Sequence, residues 1–452
     1  MTDPSGQQAR DHDEHGSFRA IFAGGLKQHS AIIASLAIRG GAVMAGFAVT
    51  YLIGRNLGAS AIGQFALVSQ TALMLAVIGL LGLDVSIVRH FAKAVADGSR
   101  VALKSLGQVL GTSLSLLLAI MGILWLGGDR LWEWLFADAV PFDFLLLLCL
   151  LLIGRAGANL CGAFLRSQHA FAMGQIVPAL IIPVFTTLAL AFGFVDTVRG
   201  ALWAAAIGSL LALAIGAAAT LAMSGTGDRA AQINLKAVIA SALPLWGVGI
   251  AQNIGDWYGL VVAAQILGAA EAGLFRVGFQ VAAILQVASV ALFSVYSAKI
   301  STAFHAGSRE QAAQLAATAV RLSSLLVIPA GAILIGAGPF VLGQIGPEFA
   351  AAYPVLIILI VGQIAFTVTG PCGLVLAMSG NERINLGISI VSIALLLILA
   401  PIAAKIWGLA GLAACVAILT TLRNVLAYFI VFHREGISIW RGTVSTDVGA
   451  AR

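Results

Sequence analysis

The sequence is built on long, unbroken apolar runs, of which Ile388–Pro401 and Phe144–Ile153 are the plainest. Such a run has no solvated face. A soluble helix needs a polar stripe and a half-buried strand needs alternation. The strands of an outer-membrane barrel alternate as well. What remains is a bundle of helices in a bilayer, where each backbone group is satisfied within its own helix. Composition agrees: of 452 residues, 60% are hydrophobic and 10% charged, against about 25% charged in a soluble domain. Disorder is excluded on the same grounds. The net charge of +6 is therefore read as topology and not as nucleic-acid binding.

A crossing takes roughly 20 apolar residues. Hydropathy predicts about twelve, at roughly 31–53, 60–83, 105–126, 144–165, 175–195, 200–223, 241–266, 272–297, 312–337, 353–378, 384–404 and 408–432. The expected fold class is all-α and polytopic. About 30 mostly polar residues precede the first run, which is too long for the core of a cleavable signal. Within them Phe18, Ile21, Phe22 and Leu26 recur at helical spacing beside Arg19 and Lys27, as in a short helix lying on a membrane surface. The longest connection, about 127–143, has no room for a folded extramembrane domain. Cys149, Cys161, Cys372 and Cys415 sit in apolar runs without CxxC spacing. They read as packing residues and not as disulfides or metal ligands.

Lys and Arg are spread unevenly over the connections. With the N-terminus cytoplasmic, one face collects about 16 and the other about 4, namely Arg55, Arg130, Arg199 and Lys405. Positive charge is retained on the cytoplasmic side. Both termini are expected there, which requires an even number of crossings.

The two halves repeat. Leu57-Gly58-Ala59-Ser60-Ala61-Ile62-Gly63-Gln64-Phe65 matches Leu267-Gly268-Ala269-Ala270-Glu271-Ala272-Gly273-Leu274-Phe275. Gly98-Ser99-Arg100 matches Gly307-Ser308-Arg309, and Gly200-Ala201-Leu202 parallels Gly408-Leu409-Ala410. The offset stays near ~210 residues, and each match falls in an equivalent connection. Six crossings per repeat give both halves the same orientation, about an axis along the membrane normal. The implied organisation is, in round numbers, about 1–30 for an N-terminal segment, 31–223 for an N-lobe, 224–240 for a linker, 241–432 for a C-lobe and 433–452 for a tail.

The second half carries Gly346-Pro347-Glu348-Phe349-Ala350-Ala351-Ala352-Tyr353-Pro354-Val355-Leu356, then Gly362-Gln363, Gly370-Pro371-Cys372-Gly373 and Met378-Ser379-Gly380-Asn381-Glu382. With Gly273–Ala282, Leu57–Asp84 and Val88-Arg89-His90-Phe91, this ordered set resembles the bacterial oligosaccharide flippases of polysaccharide biosynthesis. Their superfamily, the multidrug/oligosaccharidyl-lipid/polysaccharide exporters, also holds lipid II flippases and multidrug and toxin extrusion transporters. The resemblance implies two six-helix lobes in a V that work by alternating access. It implies a substrate, a polyprenyl-diphosphate-linked oligosaccharide, carried from the cytoplasmic to the outer leaflet of a bacterial inner membrane. Membrane lipids, H⁺ or Na⁺, glycosyltransferases and a polymerase are the partners it suggests, with no cofactor.

A charge within a span costs roughly 2.5–3.5 kcal/mol on insertion scales, so it needs a reason. Here the interior set is Arg39, Arg155, Arg276, Arg321, Arg423 and Asp256, with Asp84 at a helix end. Arginine stays charged and binds phosphate bidentately, so this cationic interior suits a diphosphate. The five arginines are the substrate-site candidates, against snorkelling or packing roles for each. Asp256, with Gln252 one turn away and Asn253, is the candidate for carrying H⁺ or Na⁺; an ion pair with an arginine of another helix is the competing role. Asp84 and Arg89 are candidates for a cytoplasmic gate or a simple helix-end anchor. Gly370, Pro371 and Gly373 form the strongest hinge candidate among the prolines that interrupt spans.

Two other functions compete. A cation-coupled multidrug antiporter, or a lipid II-type flippase, shares the architecture; a drug antiporter calls for more interior carboxylates than this chain has. A membrane polysaccharide polymerase or ligase needs a catalytic loop or clustered acid–base groups. The loop Gly127–Asp143 is short, and the histidines, His12, His15, His29, His90, His169, His305 and His433, show no metal-like spacing. A non-enzymatic transporter is the expectation.

Overall fold

The computed structural model describes residues 34–35, 37–96, 103–224, 234–378 and 381–444. The amphipathic segment at Phe18–Lys27, the turn at Gly98–Arg100, most of the linker and the last residues of the tail lie outside the described residues. The first helix is α1 (Ala37–Leu57). It is followed by α2 (Ala59–Leu80), α3 (Leu83–Ala96), α4 (Leu103–Phe136), α5 (Leu145–Ser167), α6 (Phe171–Ala179), α7 (Ile181–Ala191) and α8 (Val198–Met223). The second half holds α9 (Leu235–Ile266), α10 (Ala269–His305), α11 (Arg309–Ile345), α12 (Tyr353–Thr369), α13 (Cys372–Met378) and α14 (Glu382–Glu435). A small hairpin, β1 (Ile437–Ser438) and β2 (Thr443–Val444), follows.

Local chemistry sets several of these boundaries. The repeated Leu-Gly-Ala turns place Gly58 (φ 86°) and Gly268 (φ 110°) at the starts of α2 and α10, a conformation that glycine adopts without steric cost. Thr197 caps α8 by accepting from Gly200 N at 3.1 Å, and Asn234 caps α9 by accepting from Lys236 N at 3.0 Å. Pro178 and Pro183 flank the break where α6 and α7 meet at 46°.

Among the described residues, ten stretches are long and apolar enough to cross a bilayer, or eleven with the bent α6–α7 pair as one. One of them, Arg383–Arg434, has 52 residues. That is about 78 Å of helix at 1.5 Å per residue, more than twice a ~30 Å hydrocarbon core. Its backbone breaks at Gly408 (φ 61°). Near its first turn Asn385 lies beside Gly373, and near its other end Asn424 donates to Gly370 O at 2.8 Å. Both ends of α14 therefore stand at one end of the bundle. The helix thus doubles back at Gly408, in the gap where the sequence separates its last two expected crossings, about 384–404 and 408–432.

The core shows how the halves meet. At the end with few Lys and Arg, one continuous cluster joins Ile53, Ile62, Leu67 and Phe136 of the first half to Phe275, Leu342, Phe349 and Leu356 of the second. Toward the basic end the core divides. Leu80, Ile87, Phe91 and Phe164 pack with Val238 and Ala242 at the start of α9, whereas Ile300, Val320, Leu376 and Ile439 pack in the second half alone. The halves are thus joined by the large cluster at one end, and toward the basic end they stay in contact through the start of α9, where Ser86 Oγ donates to Val238 O at 2.8 Å and His90 Nε2 lies 2.9 Å from Ser241 Oγ. Exposed Trp125, Trp134, Phe192, Phe194 and Trp407 cluster near the connections of the joined end, where an aromatic belt is expected.

Candidate functional site

Between the halves, α1, α2, α9 and α10 enclose a cavity of about 330 Å³. Its wall is rich in amides: Gln70, Asn253, Gln280 and Gln286 stand there with Asp256, Arg276, Trp257 and Phe279. A second compartment of about 190 Å³ runs into the first half. Both share Ala42, Gly46, Gln70, Leu73 and Arg276, so they are one branched space. The second branch adds Arg155 from α5, with Thr50, Ser69, Thr186, Pro178 and Pro183.

Arg276 stands seven residues into α10, about 10 Å from its start, and so well inside the bundle. With the Gln70 amide turned to suit its hydrogen bonds, the Gln70 oxygen accepts from Arg276 Nη1 at 2.7 Å and Nη2 at 3.0 Å. Asp256 is close enough for the two charges to act on each other. Two more bonds tie the halves across the cavity. Thr50 Oγ1 donates to Gln280 Oε1 at 2.7 Å, and Trp257 Nε1 donates to Thr71 Oγ1 at 3.0 Å.

Above the cavity, at the joined end, α2 crosses α10 at Gly63 and Gly273. A methyl built on Gly63 would lie 2.9 Å from the carbonyl carbon of Ala269 and 3.1 Å from Gly273 N. One built on Gly273 would lie 2.8 Å from the carbonyl carbon of Ala59 and 3.1 Å from Gly63 N. The two residues hold equivalent positions in the repeated motif, so the internal repeat appears here as a near-symmetric backbone contact. Beside it Glu348 accepts from Ala59 N at 2.7 Å, closing the start of α2 with a carboxylate from the other half.

The remaining candidates fall elsewhere. Arg39 lies one turn before the cavity wall on α1, within the electrostatic reach of Arg166, which in turn acts on Asp84. Burial holds the Asp84 carboxyl above its ordinary range, and the charge of Arg166 pulls it partly back. Arg89 is exposed. Arg321 is also exposed and donates to the carbonyl of Trp440 at 3.1 Å, so it ties α11 to the tail hairpin. Arg423 is on α14, outside the residues that line either compartment. Asn253 shares the cavity wall with Asp256, while Gln252 does not. The Gly370–Pro371–Gly373 break between α12 and α13 is held by Asn424, which donates to Phe366 O, Thr369 Oγ1 and Gly370 O at 3.0, 2.9 and 2.8 Å. Val320 and Ile439 pack on Gly370.

Sequence reasoning did not single out Gln70, Gln280, Gln286, Trp257 or Asn424. For the four amides the signal was present, since a polar amide within an apolar run needs a partner just as a charge does. All four cysteines are free thiols, with Cys161 and Cys372 buried.

No family profile matches the sequence, and no curated protein does. Solved structures with the same fold do exist. The chain is similar to the inward-facing conformation of a multidrug resistance MATE family transporter of the MOP superfamily, at 13% identity, covering 88% of this chain and 96% of that one, with a TM-score of 0.69. It is similar to the lipid II flippase MurJ in an inward closed conformation, at 13% identity, covering 88% of this chain and 86% of that one, with a TM-score of 0.68. Against the outward-facing conformation of a MATE family transporter the TM-score is 0.60, at 14% identity over 88% of this chain and 94% of that one. At such identities the likeness is one of fold: the chain is a multi-pass membrane protein with the helical architecture of the MOP-superfamily transporters.

Proposed function

We propose that the protein is a flippase that carries a polyprenyl-diphosphate-linked oligosaccharide across a bacterial inner membrane by alternating access. The observation that carries this reading is Arg276 on the wall of a cavity between two lobes, beside a row of amides. A guanidinium pairs with diphosphate oxygens, and amides with Trp257 and Phe279 suit the hydroxyls and faces of sugars. Bonding to Gln70 holds Arg276 without neutralising it, and Asp256 offsets only part of its charge, so the rest is available to an anion. The basic end is taken as cytoplasmic, with both termini there. The seal at Gly63 and Gly273 closes the cavity toward the end with few Lys and Arg, which supports an inward-facing state that loads from the leaflet where the substrate is made. Arg39, near the basic end of α1, receives the headgroup first. Glycosyltransferases supply the substrate and a polymerase consumes it.

One observation favours a second reading, a cation-coupled multidrug antiporter: Asp256 lies on the same wall, where a carboxylate attracts a cationic drug or an ion. Proteoliposomes separate the two. Transfer of a lipid-linked oligosaccharide to the lectin-accessible leaflet is expected for the wild type and is lost in Arg276→Glu, while Arg276→Lys keeps part of it. Transport of a cationic dye that survives Arg276→Glu and fails in Asp256→Asn would overturn the flippase reading in favour of the antiporter.

A further inference from the structure

The branch of the cavity that enters the N-lobe is unlike the central one. Its only ionic residue besides the shared Arg276 is Arg155. Gly154 and Gly157 press α5 onto α8: a methyl on Gly154 would lie 2.6 Å from Ser209 Cβ, and one on Gly157 would meet the side chain of Leu213. Positions 154 and 157 share a face of the helix, and position 155 is turned about 100° from position 154. The close approach therefore directs Arg155 away from α8 and into the pocket. There its Nε is shut off from solvent and has no hydrogen-bond partner among the described residues. The charge of Arg276 acts on it and repels it. Arg276 is compensated by Gln70 and by the field of Asp256.

A half-buried arginine whose Nε is shut off from solvent and unpartnered, with a like charge acting on it, is costly, and a bound anion removes that cost. We infer that this branch is an oxyanion subsite built on Arg155, with Arg276 at its mouth. It rests on the flippase reading and deepens it, because it divides the headgroup between two compartments. The amide-lined central cavity takes the neutral, hydroxylated part of the glycan. The N-lobe branch takes a charged group, either a phosphoryl of the diphosphate or the carboxylate of an acidic sugar. At about 190 Å³ this branch is the smaller of the two, against about 330 Å³ for the central cavity. Thr50, Ser69 and Thr186 add hydroxyls to the wall. An anion held between Arg155 of one lobe and Arg276 of the other also ties the lobes together in this state.

The test uses the purified full chain in nanodiscs at fixed ionic strength, with inorganic pyrophosphate in one arm and glucuronate in the other. Binding is read by calorimetry and by the rise in Tm. The wild type is expected to bind at least one of them, which identifies the source of the charge as phosphoryl or carboxylate. Arg155→Met should weaken that binding roughly 10- to 100-fold, the loss expected for a charge-assisted bidentate contact. Arg155→Lys should fall between. In anion-free buffer Arg155→Met should melt at or above the wild-type temperature, because it removes an uncompensated charge. If Arg155 merely packs the helices, that variant melts lower and anion affinity is unchanged, which overturns the subsite, as does wild-type binding of neither anion. The two readings fail separately. Arg155-dependent anion binding without leaflet transfer sinks the flippase, and leaflet transfer with Arg155-independent binding sinks the subsite.

Discussion

Replacing Gly63 by alanine puts a methyl where α2 and α10 cross. The added carbon would stand 2.9 Å from the carbonyl carbon of Ala269 and 3.1 Å from Gly273 N. The nearest obstacle is the carbonyl oxygen of Ala269, which the methyl would overlap outright; ordinary contacts begin near ~3.5 Å, so the helices must separate by more than about 1 Å. All three obstacles are backbone, and no side chain can turn away to make room. Overpacking of this kind costs about 1–3 kcal/mol. The cost falls on the state in which the lobes are sealed at this end, and vanishes where they are apart. Alanine's helix propensity, about 1 kcal/mol better than glycine's, applies to both states and cancels. The ratio of open to sealed forms should therefore rise by about 5- to 150-fold. The assay places a single cysteine at Ala66, on the pocket wall of α2, in a background without the four native cysteines. An impermeant maleimide added on the side of the seal should label it faster in Gly63→Ala by a factor in that range. Gly273→Ala should act alike, since its methyl would lie 2.8 Å from the carbonyl carbon of Ala59. The double variant should add little, because the first methyl has already parted the crossing. Gly122→Ala, with open space around it, is the control. Labelling unchanged in both crossing variants would refute the seal.

Three further outcomes are expected. Cysteines introduced at Gly128 and Asp196 should react with an impermeant reagent from outside intact cells, and those at His169 and Ser308 should not; labelling of the second pair would reverse the topology. Asp256→Asn should keep folding and substrate binding while flattening the dependence of turnover on H⁺ or Na⁺; if Asp256 serves only to balance Arg276, expression falls and the ion dependence stays. Asn424→Ala leaves the carbonyls of Phe366 and Gly370 without their donor, so it should destabilise the protein by about 1–3 kcal/mol, read as a lower Tm in detergent. An unchanged melting curve would mean that water replaces the amide.

The sequence by itself determined the bilayer as solvent, the crossings and the repeat, because apolar run length and the placement of Gly-containing turns are local properties. It placed separate crossings at about 384–404 and 408–432, on either side of the break at Gly408, and it marked the Leu-Gly-Ala turns that prove to be symmetric helix starts. It also found the charges that need explaining. Tertiary structure alone decided which of them meet. Arg155 and Arg276 lie on α5 and α10, far apart in the chain, yet line one pocket. Arg321 reaches the tail hairpin, and Arg39 and Arg423 stand outside the cavity lining. The reason is physical. A membrane helix is apolar on every side, so hydropathy carries no record of which face looks inward. That direction is set by where small residues let backbones touch, as Gly63 does against Gly273 and Gly154 against Ser209, and such a contact exists only once two distant segments have packed.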